Sequence, residues 1–418
     1  MTLNYKRTFY IGLAFLSISA FWQIYDSLIP LMLQTSFHLK DTIIGGIMAL
    51  DNVLAIFMLP LFGAFSDKTN TKIGKRMPYI LAGTIIAVIF MLIIPVSAYK
   101  DNLILFIVSL GIVLISMGTY RSPAVALMPD FTPKSLRSRA NAIISLMGTV
   151  GGIFALVSIR VLIPNVQAPD YLPVFIAIAA VMVISVIVLA LTIKENKIQR
   201  YLDDAEEDSG NTSASMPKDV KKSLFFMLVA VFFCFMSFNA IMSAFSRYAV
   251  KVWGLGGGTF ANSLLFFTIF AIAAYMPAGI IAGTIGRKNT VIIGLIILSA
   301  VYFFAFLITS FSAAIYVVFA FAGIGFAAIT VNAYPMVVDM SKSSDVGKYT
   351  GYYYTFSMAA QIVTPILSGF FLEHVSYRTL FPYAMFFSVL SIITILFVKH
   401  GDSRPEKSVS LESFAADD

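Results

Sequence analysis

Twelve stretches of about 20 mostly apolar residues, separated almost only by short polar loops, constrain this chain more than anything else in it. Only a helix that crosses a bilayer needs that length, because about 30 Å of hydrocarbon must be covered at roughly 1.5 Å per residue. Hydrocarbon offers no water to a backbone N–H or C=O. Runs this long, with no alternation of polar and apolar residues, therefore predict α-helices and not barrel strands. The expected spans are 9–33, 43–66, 78–97, 103–127, 140–163, 172–193, 224–249, 260–283, 290–310, 313–337, 349–373 and 380–398. Composition agrees: 59% of residues are hydrophobic, 38 Phe stand against 22 acids, and 12% are charged, where a soluble chain carries about 25%. The fold class is an all-α membrane protein.

Lys6 and Arg7 precede an apolar run too long for a signal peptide, so helix 1 is expected to be retained. Most of the 29 Lys and Arg fall in the termini and in the loops after helices 2, 4, 6, 8 and 10, while Arg121 and Arg160 stand inside spans. The positive-inside rule then predicts a cell-membrane protein with both termini in the cytoplasm. The net charge of +7 describes topology, and no nucleic-acid partner is expected. Cys234 stands alone and cannot form an intramolecular disulfide, and no spacing points to a metal or a cofactor.

The longest interruption, 194–222, carries an acidic run and then a Gly, Ser, Thr and Asn-rich stretch, a composition that stays solvated. It divides the chain into a six-helix bundle at 1–193 and another at 223–398, with a polar cytoplasmic tail at 399–418. The halves carry a weak repeat. Asp130 follows helix 4 with Arg139 nine residues on, and Asp339 follows helix 10 with Lys348 nine residues on. Gly74-Lys75-Arg76 after helix 2 is matched by Gly286-Arg287-Lys288 after helix 8, with Gly283 where the first half has Asp67. A duplicated unit of this kind predicts alternating access around a site between pseudo-twofold related halves.

Gly63-x-x-Ser66-Asp67 followed by Gly74-Lys75-Arg76 resembles the helix 2 to 3 signature of the major facilitator superfamily. More narrowly, Ser66 to Thr69, Gly74 to Tyr79, Arg121 to Asp130 and Arg139 to Ile143 are similar to the sucrose-transporter-like branch of the glycoside-pentoside-hexuronide cation symporters. The resemblance is strong over helices 1 to 5 and architectural beyond. It implies a 6+6 helix architecture, a central sugar site and uptake driven by protons or sodium. Two departures stand out. The paired helix 2 acids with which melibiose-type members hold sodium are Ala55 and Leu59 here, and the protonatable helix 4 acid of plant sucrose carriers is Leu114.

If protons drive this chain, other acids must carry them, and depth singles out Asp26 and Asp51. Trp22 lies near the midplane of helix 1, Asp26 about one turn further out, and Asp51 about 12 Å below the outer face along helix 2. An acid there costs about 2.5–3.5 kcal/mol on insertion scales, so it normally marks an ion or substrate path; hydrogen bonding or capping between helices is the plainer alternative. Arg121, beside Tyr120 deep in helix 4, is expected to face substrate or a gate, and a structural pair is the alternative. A sugar needs a flat aromatic face and converging amide, hydroxyl and charged groups. Trp22, Gln23, Asp26, Asn52, Tyr120, Arg121, Asn239, Gln361 and Thr364 are the candidates, each of the amides being equally readable as helix-to-helix glue. The Gly148 to Gly152 cluster of helix 5 reads as close packing. Asp67, Arg76, Asp130, Arg139, Asp339 and Lys348 at the cytoplasmic ends are expected to form a gate, against simple topogenic charge.

The sequence thus predicts a carrier, not an enzyme, that takes up a disaccharide or glycoside with protons and functions as a monomer among membrane lipid. An uncoupled or exporting facilitator of another small polar solute, and a non-transporting receptor or scaffold, are the alternatives.

Overall fold

The computed structural model describes residues 4–132, 136–166, 169–197, 217–340 and 346–402. The linker residues 198–216 and the tail beyond 402 lie outside the described residues. Twelve long helices follow in order: α1 (Tyr5–Thr35), α2 (Asp41–Lys68), α3 (Met77–Tyr99), α4 (Leu103–Phe131), α5 (Arg137–Leu162), α6 (Leu172–Thr192), α7 (Lys218–Trp253), α8 (Ala261–Ile285), α9 (Arg287–Leu307), α10 (Ala314–Asp339), α11 (Val346–His374) and α12 (Leu380–Leu396). All 12 contain a span long and apolar enough to cross a membrane. Each expected span falls within one of these helices to within a few residues.

Local chemistry sets several ends. Asn4 accepts a hydrogen bond from the Arg7 N–H at 3.0 Å and Asn102 one from the Leu105 N–H at 3.0 Å, so α1 and α4 begin on side-chain caps. Along the helices, large apolar side chains such as Phe57, Ile104, Val161 and Leu191 remain exposed. In water that surface would be unstable; against acyl chains it is the natural outer face of a spanning helix.

Two compact units divide the chain. Unit 1 comprises Met1–Glu207, Met242–Leu265 and Pro365–Tyr377; unit 2 comprises Asp208–Ile241, Phe266–Thr364 and Arg378–Asp418. Unit 1 therefore holds α1 to α6 together with the last part of α7, the start of α8 and the end of α11. Within it α1 runs along α5, α3 packs on α4 and α6, and α2 packs on α4. The glycine cluster of α5 lies at the first of these contacts: a Cβ on Gly151 would sit 2.0 Å from the Leu16 carbonyl oxygen, so only glycine allows that approach. In unit 2, α9 packs on α10 and α12. Small hydroxyls join its helices, Ser237 donating to the Ala384 carbonyl at 2.7 Å and Ser391 to the Ala230 carbonyl at 2.8 Å.

One charge departs from the sequence reading. Arg247, near the end of the expected span 224–249 and not singled out there with Arg121 and Arg160, lies inside α7 and is 1% exposed. Arg160 is exposed in the last turn of α5, as a snorkelling side chain would be.

Candidate functional site

Three helices of unit 1 bring together most of the first-half candidates. On α1, the Trp22 ring meets Phe21 and Tyr25 edge-on, with centroids 5.2 Å away in each case. Its Nε1–H is buried and has no partner among the described residues. The Arg121 guanidinium of α4 lies 5.8 Å from the Trp22 ring centroid, within the range of a cation–π contact. Asp26 and Asp51, both half-buried, stand close enough to repel one another, and Arg121 stands close enough to Asp51 to attract it. Asn52 donates to Asp51 at 2.7 Å, and Gln23 donates to Ser27 at 3.2 Å. The cluster thus holds two carboxyls, one guanidinium, an indole with a spare donor and two amides. Such a set can bind a polyhydroxylated ring and exchange a proton beside it.

Tyr120 does not join this cluster. It is fully buried, and its hydroxyl bonds the Ser17 hydroxyl at 2.5 Å and donates to the Ala14 carbonyl at 3.0 Å, so it fastens α4 to α1 instead of facing a ligand. The neighbour of Arg121 in sequence points about 100° away around a helix, which is why adjacency misleads here.

At the other end of unit 1, where α2 ends and α3 begins, Arg76 is a hub. Its Nε donates to Asp130 at 3.1 Å, and its Nη2 lies 2.5 Å from Asp67. Lys75 adds longer pairs to the same two acids, at 3.6 Å to Asp67 and 3.5 Å to Asp130. Behind the loop, the buried Glu195, from the turn just after α6, accepts from the backbone N–H groups of Lys75, Arg76 and Met77 at 2.6–3.1 Å. Its carboxylate thereby caps the N-terminus of α3. Gly74 holds φ +120°, and a Cβ there would collide with Glu195.

Unit 2 repeats the arrangement. Arg287 pairs with Asp339, Gly286 holds φ +93°, and Asp402, just after α12, accepts from the Lys288 N–H at 2.9 Å. Asp339 is thus paired with Arg287, which stands in the repeat where the first half has Lys75, itself 3.5 Å from Asp130. The expected pairings with Arg139 and Lys348 concern side chains outside the described residues. A loop charge set built twice, at the same place in each half of a twelve-span chain, is the mark of a duplicated transporter fold. Residues 10–346 match the MFS/sugar transport protein family. This chain belongs to that family.

It is a secondary transporter of the major facilitator type and not an enzyme. The sucrose transport protein SUC3 of Arabidopsis thaliana is 28% identical to this transporter over 120 residues, 24% of the chain and 20% of that relative. The match therefore spans about a fifth of the relative's length. Among solved structures, a bacterial homologue of the human lysosomal transporter Spinster, inward-facing and occupied, superposes with a TM-score of 0.67 at 14% identity over 95% of both chains. The POT family transporter PepTSo gives a TM-score of 0.71 at 11% identity over 100% of both. At such identities the likeness shows a shared fold.

Of the second-half candidates, Asn239 keeps a buried Nδ2 without a partner among the described residues. Gln361 donates to the Ser357 carbonyl at 3.3 Å, within its own helix. Thr364 is fully buried and returns its hydroxyl to the Ala360 carbonyl of its own helix at 2.6 Å. All three lie in unit 2.

Sequence reasoning missed Glu195 and Asp402, although an acid just after helix 6 and another just after helix 12 is a signal the repeat contains. It also missed a second charge cluster of unit 1, at the end where α1 passes into α2. There Arg247 of α7 pairs with Asp41 of α2, and Tyr377 and Gln34 both donate to the same carboxylate.

Proposed function

We propose that this transporter carries a sugar, a disaccharide or glycoside, into the cell together with protons, its termini in the cytoplasm and one chain sufficing for transport. The observation that carries the reading is the meeting of Asp26 and Asp51 with Arg121 and Trp22 in one cluster of α1, α2 and α4. Two acids and a cation at membrane depth are expensive unless a path for ions or polar solute uses them. Gln23, Asn52, Asn239 and Gln361 add amide donors and acceptors that suit sugar hydroxyls. The family, and the partial match to a plant protein named for sucrose transport, support a sugar as cargo.

Protons, in preference to sodium, are favoured because the positions that hold paired acids in sodium-using relatives are Ala55 and Leu59, neither of which can coordinate a cation through its side chain. A panel of labelled sugars, tested in vesicles under an imposed pH gradient, checks this. At least one disaccharide or glycoside is expected to accumulate, and added sodium at constant pH and membrane potential is expected to change nothing. Stimulation by sodium, or no sugar uptake under any gradient, would refute the reading.

The charge sets around Arg76 with Asp67 and Asp130, and around Arg287 with Asp339, are assigned to closing the cytoplasmic end, together with Arg139 and Lys348. Partly exposed pairs contribute about 0–1 kcal/mol each, so neutralising one should shift the equilibrium several-fold and no more. With Cys234 replaced and a thiol put in place of Tyr352, Asp130→Asn is expected to speed labelling from the cytoplasm several-fold. Asp339→Asn should do less, because Arg287 and Asp339 are the more exposed pair. Unchanged labelling in both would leave these charges as orientation signals.

A further inference from the structure

The fully described charge cluster that the sugar and proton reading leaves unused is the one where α1 passes into α2. Three elements converge on the Asp41 carboxylate of α2. Arg247 of α7 pairs with Oδ1, the Tyr377 hydroxyl donates to Oδ2, and Gln34 of α1 donates to Oδ1 at 3.3 Å. Gln34 also donates to the Tyr377 hydroxyl. Arg247 and Asp41 are 1% and 5% exposed. Lys251, one helical turn beyond Arg247, holds its Nζ 4.1 Å from the Tyr377 ring centroid. Beside the cluster, the Thr42 N–H donates to Glu373 at 3.1 Å, and Lys40 lies 3.7 Å from the same carboxylate.

Backbones close in around it. A Cβ on Gly45 of α2 would lie 2.0 Å from the Pro365 carbonyl oxygen, and a Cβ on Gly369 of α11 2.4 Å from the Asp41 carbonyl oxygen. The end of α11 is thereby seated on α2 with no space for a side chain between them, while α7 reaches α2 through the Arg247 side chain. A surface cavity of about 680 Å³, lined by Gln34, His38, Lys40, Asp41, Lys251 and Tyr377 among others, opens directly over the cluster.

We propose that Asp41, Arg247, Tyr377 and Gln34 form a latch that holds this side of the transporter shut and must break in every transport cycle. The proposal rests on the carrier reading, though on neither its sugar nor its coupling ion. The physics favours a polar seal here over an apolar one. A buried ion pair contributes little net stability compared with well-packed apolar residues, because both charges lose their water. What it gains is reversibility. When an apolar seal parts, apolar area is exposed to water and the opening is opposed; when this latch parts, a carboxylate and a guanidinium recover their hydration, which offsets the lost pairing. The adjoining cavity brings that water to the latch. The Arg247 Nε–H, buried with no partner among the described residues, adds an unmet donor that only the open state can hydrate.

The test reads opening directly and needs no substrate. In a background with Cys234 replaced by Ser, Ser246→Cys places a thiol next to Arg247; Ser246 is buried and its hydroxyl has no partner among the described residues, so the exchange is nearly isosteric. A membrane-impermeant maleimide is applied from the α1–α2 side. Asp41→Asn is expected to speed labelling tenfold or more, and Tyr377→Phe by a smaller factor. The exposed Asp101, on the α3–α4 loop, provides Asp101→Asn as the control that leaves it unchanged. Where Asp41→Asn yields no monodisperse protein, the doubly neutral Asp41→Asn with Arg247→Gln, which leaves no unpaired charge, is read in its place. A folded variant of either kind that labels at the parental rate overturns the latch. Failure of the sugar or proton reading shows instead as absent uptake with labelling still accelerated.

Discussion

Asp51→Asn is expected to abolish accumulation of sugar against its gradient while leaving exchange of sugar across the membrane in place. Asparagine keeps the shape and the hydrogen bond with Asn52 but cannot take up or release a proton. A gradient of one pH unit is worth about 1.36 kcal/mol, a tenfold accumulation at one proton per sugar, and the variant should fall to an inside-to-outside ratio of one. Asp26→Asn should harm both accumulation and exchange, because Asp26 shares α1 with Trp22 and Gln23 and is assigned to substrate as well as to protons. The check is uptake and counterflow in the same vesicles. Accumulation at the parental level in both variants would remove the two acids from the coupling path.

Arg121→Gln should cost binding most. A guanidinium that hydrogen-bonds a neutral ligand contributes about 1.5–3 kcal/mol, which corresponds to roughly 10–150-fold in the half-saturating sugar concentration. Arg121→Lys should recover little, because a point charge on a flexible stem replaces a planar fork that stands over Trp22. If Arg121 only holds the helices together, the variant will instead yield less folded protein, and the protein that remains will bind at the parental concentration.

The helices were legible because lipid imposes a length and a composition that no other solvent demands, and all 12 spans follow from that alone. The first-half cluster was legible too, since Asp26, Asp51 and Arg121 stand out against apolar neighbours. What the sequence hid was side-chain direction. Tyr120 and Thr364 are polar residues at the right depth, yet each spends its hydroxyl on a neighbouring backbone. Pairing over long separations was equally hidden. Asp41 lies just before the expected span 43–66 and Arg247 near the end of the span 224–249, and nothing local joins residues 206 positions apart. The pairing of Asp339 with Arg287 could have been found from the repeat, because Lys75 with Asp130 in the first half maps onto Arg287 with Asp339 in the second. Spacing within one loop pointed to Lys348, whose side chain lies outside the described residues.

The central claim is that sugar and protons move together through this transporter. It is tested most directly by adding a transported sugar to weakly buffered, de-energised vesicles with the membrane potential clamped at zero, and recording the external pH. The account predicts an alkaline shift that follows the sugar inward, vanishes in Asp51→Asn and ignores sodium. Sugar entry with no change in external pH would contradict it.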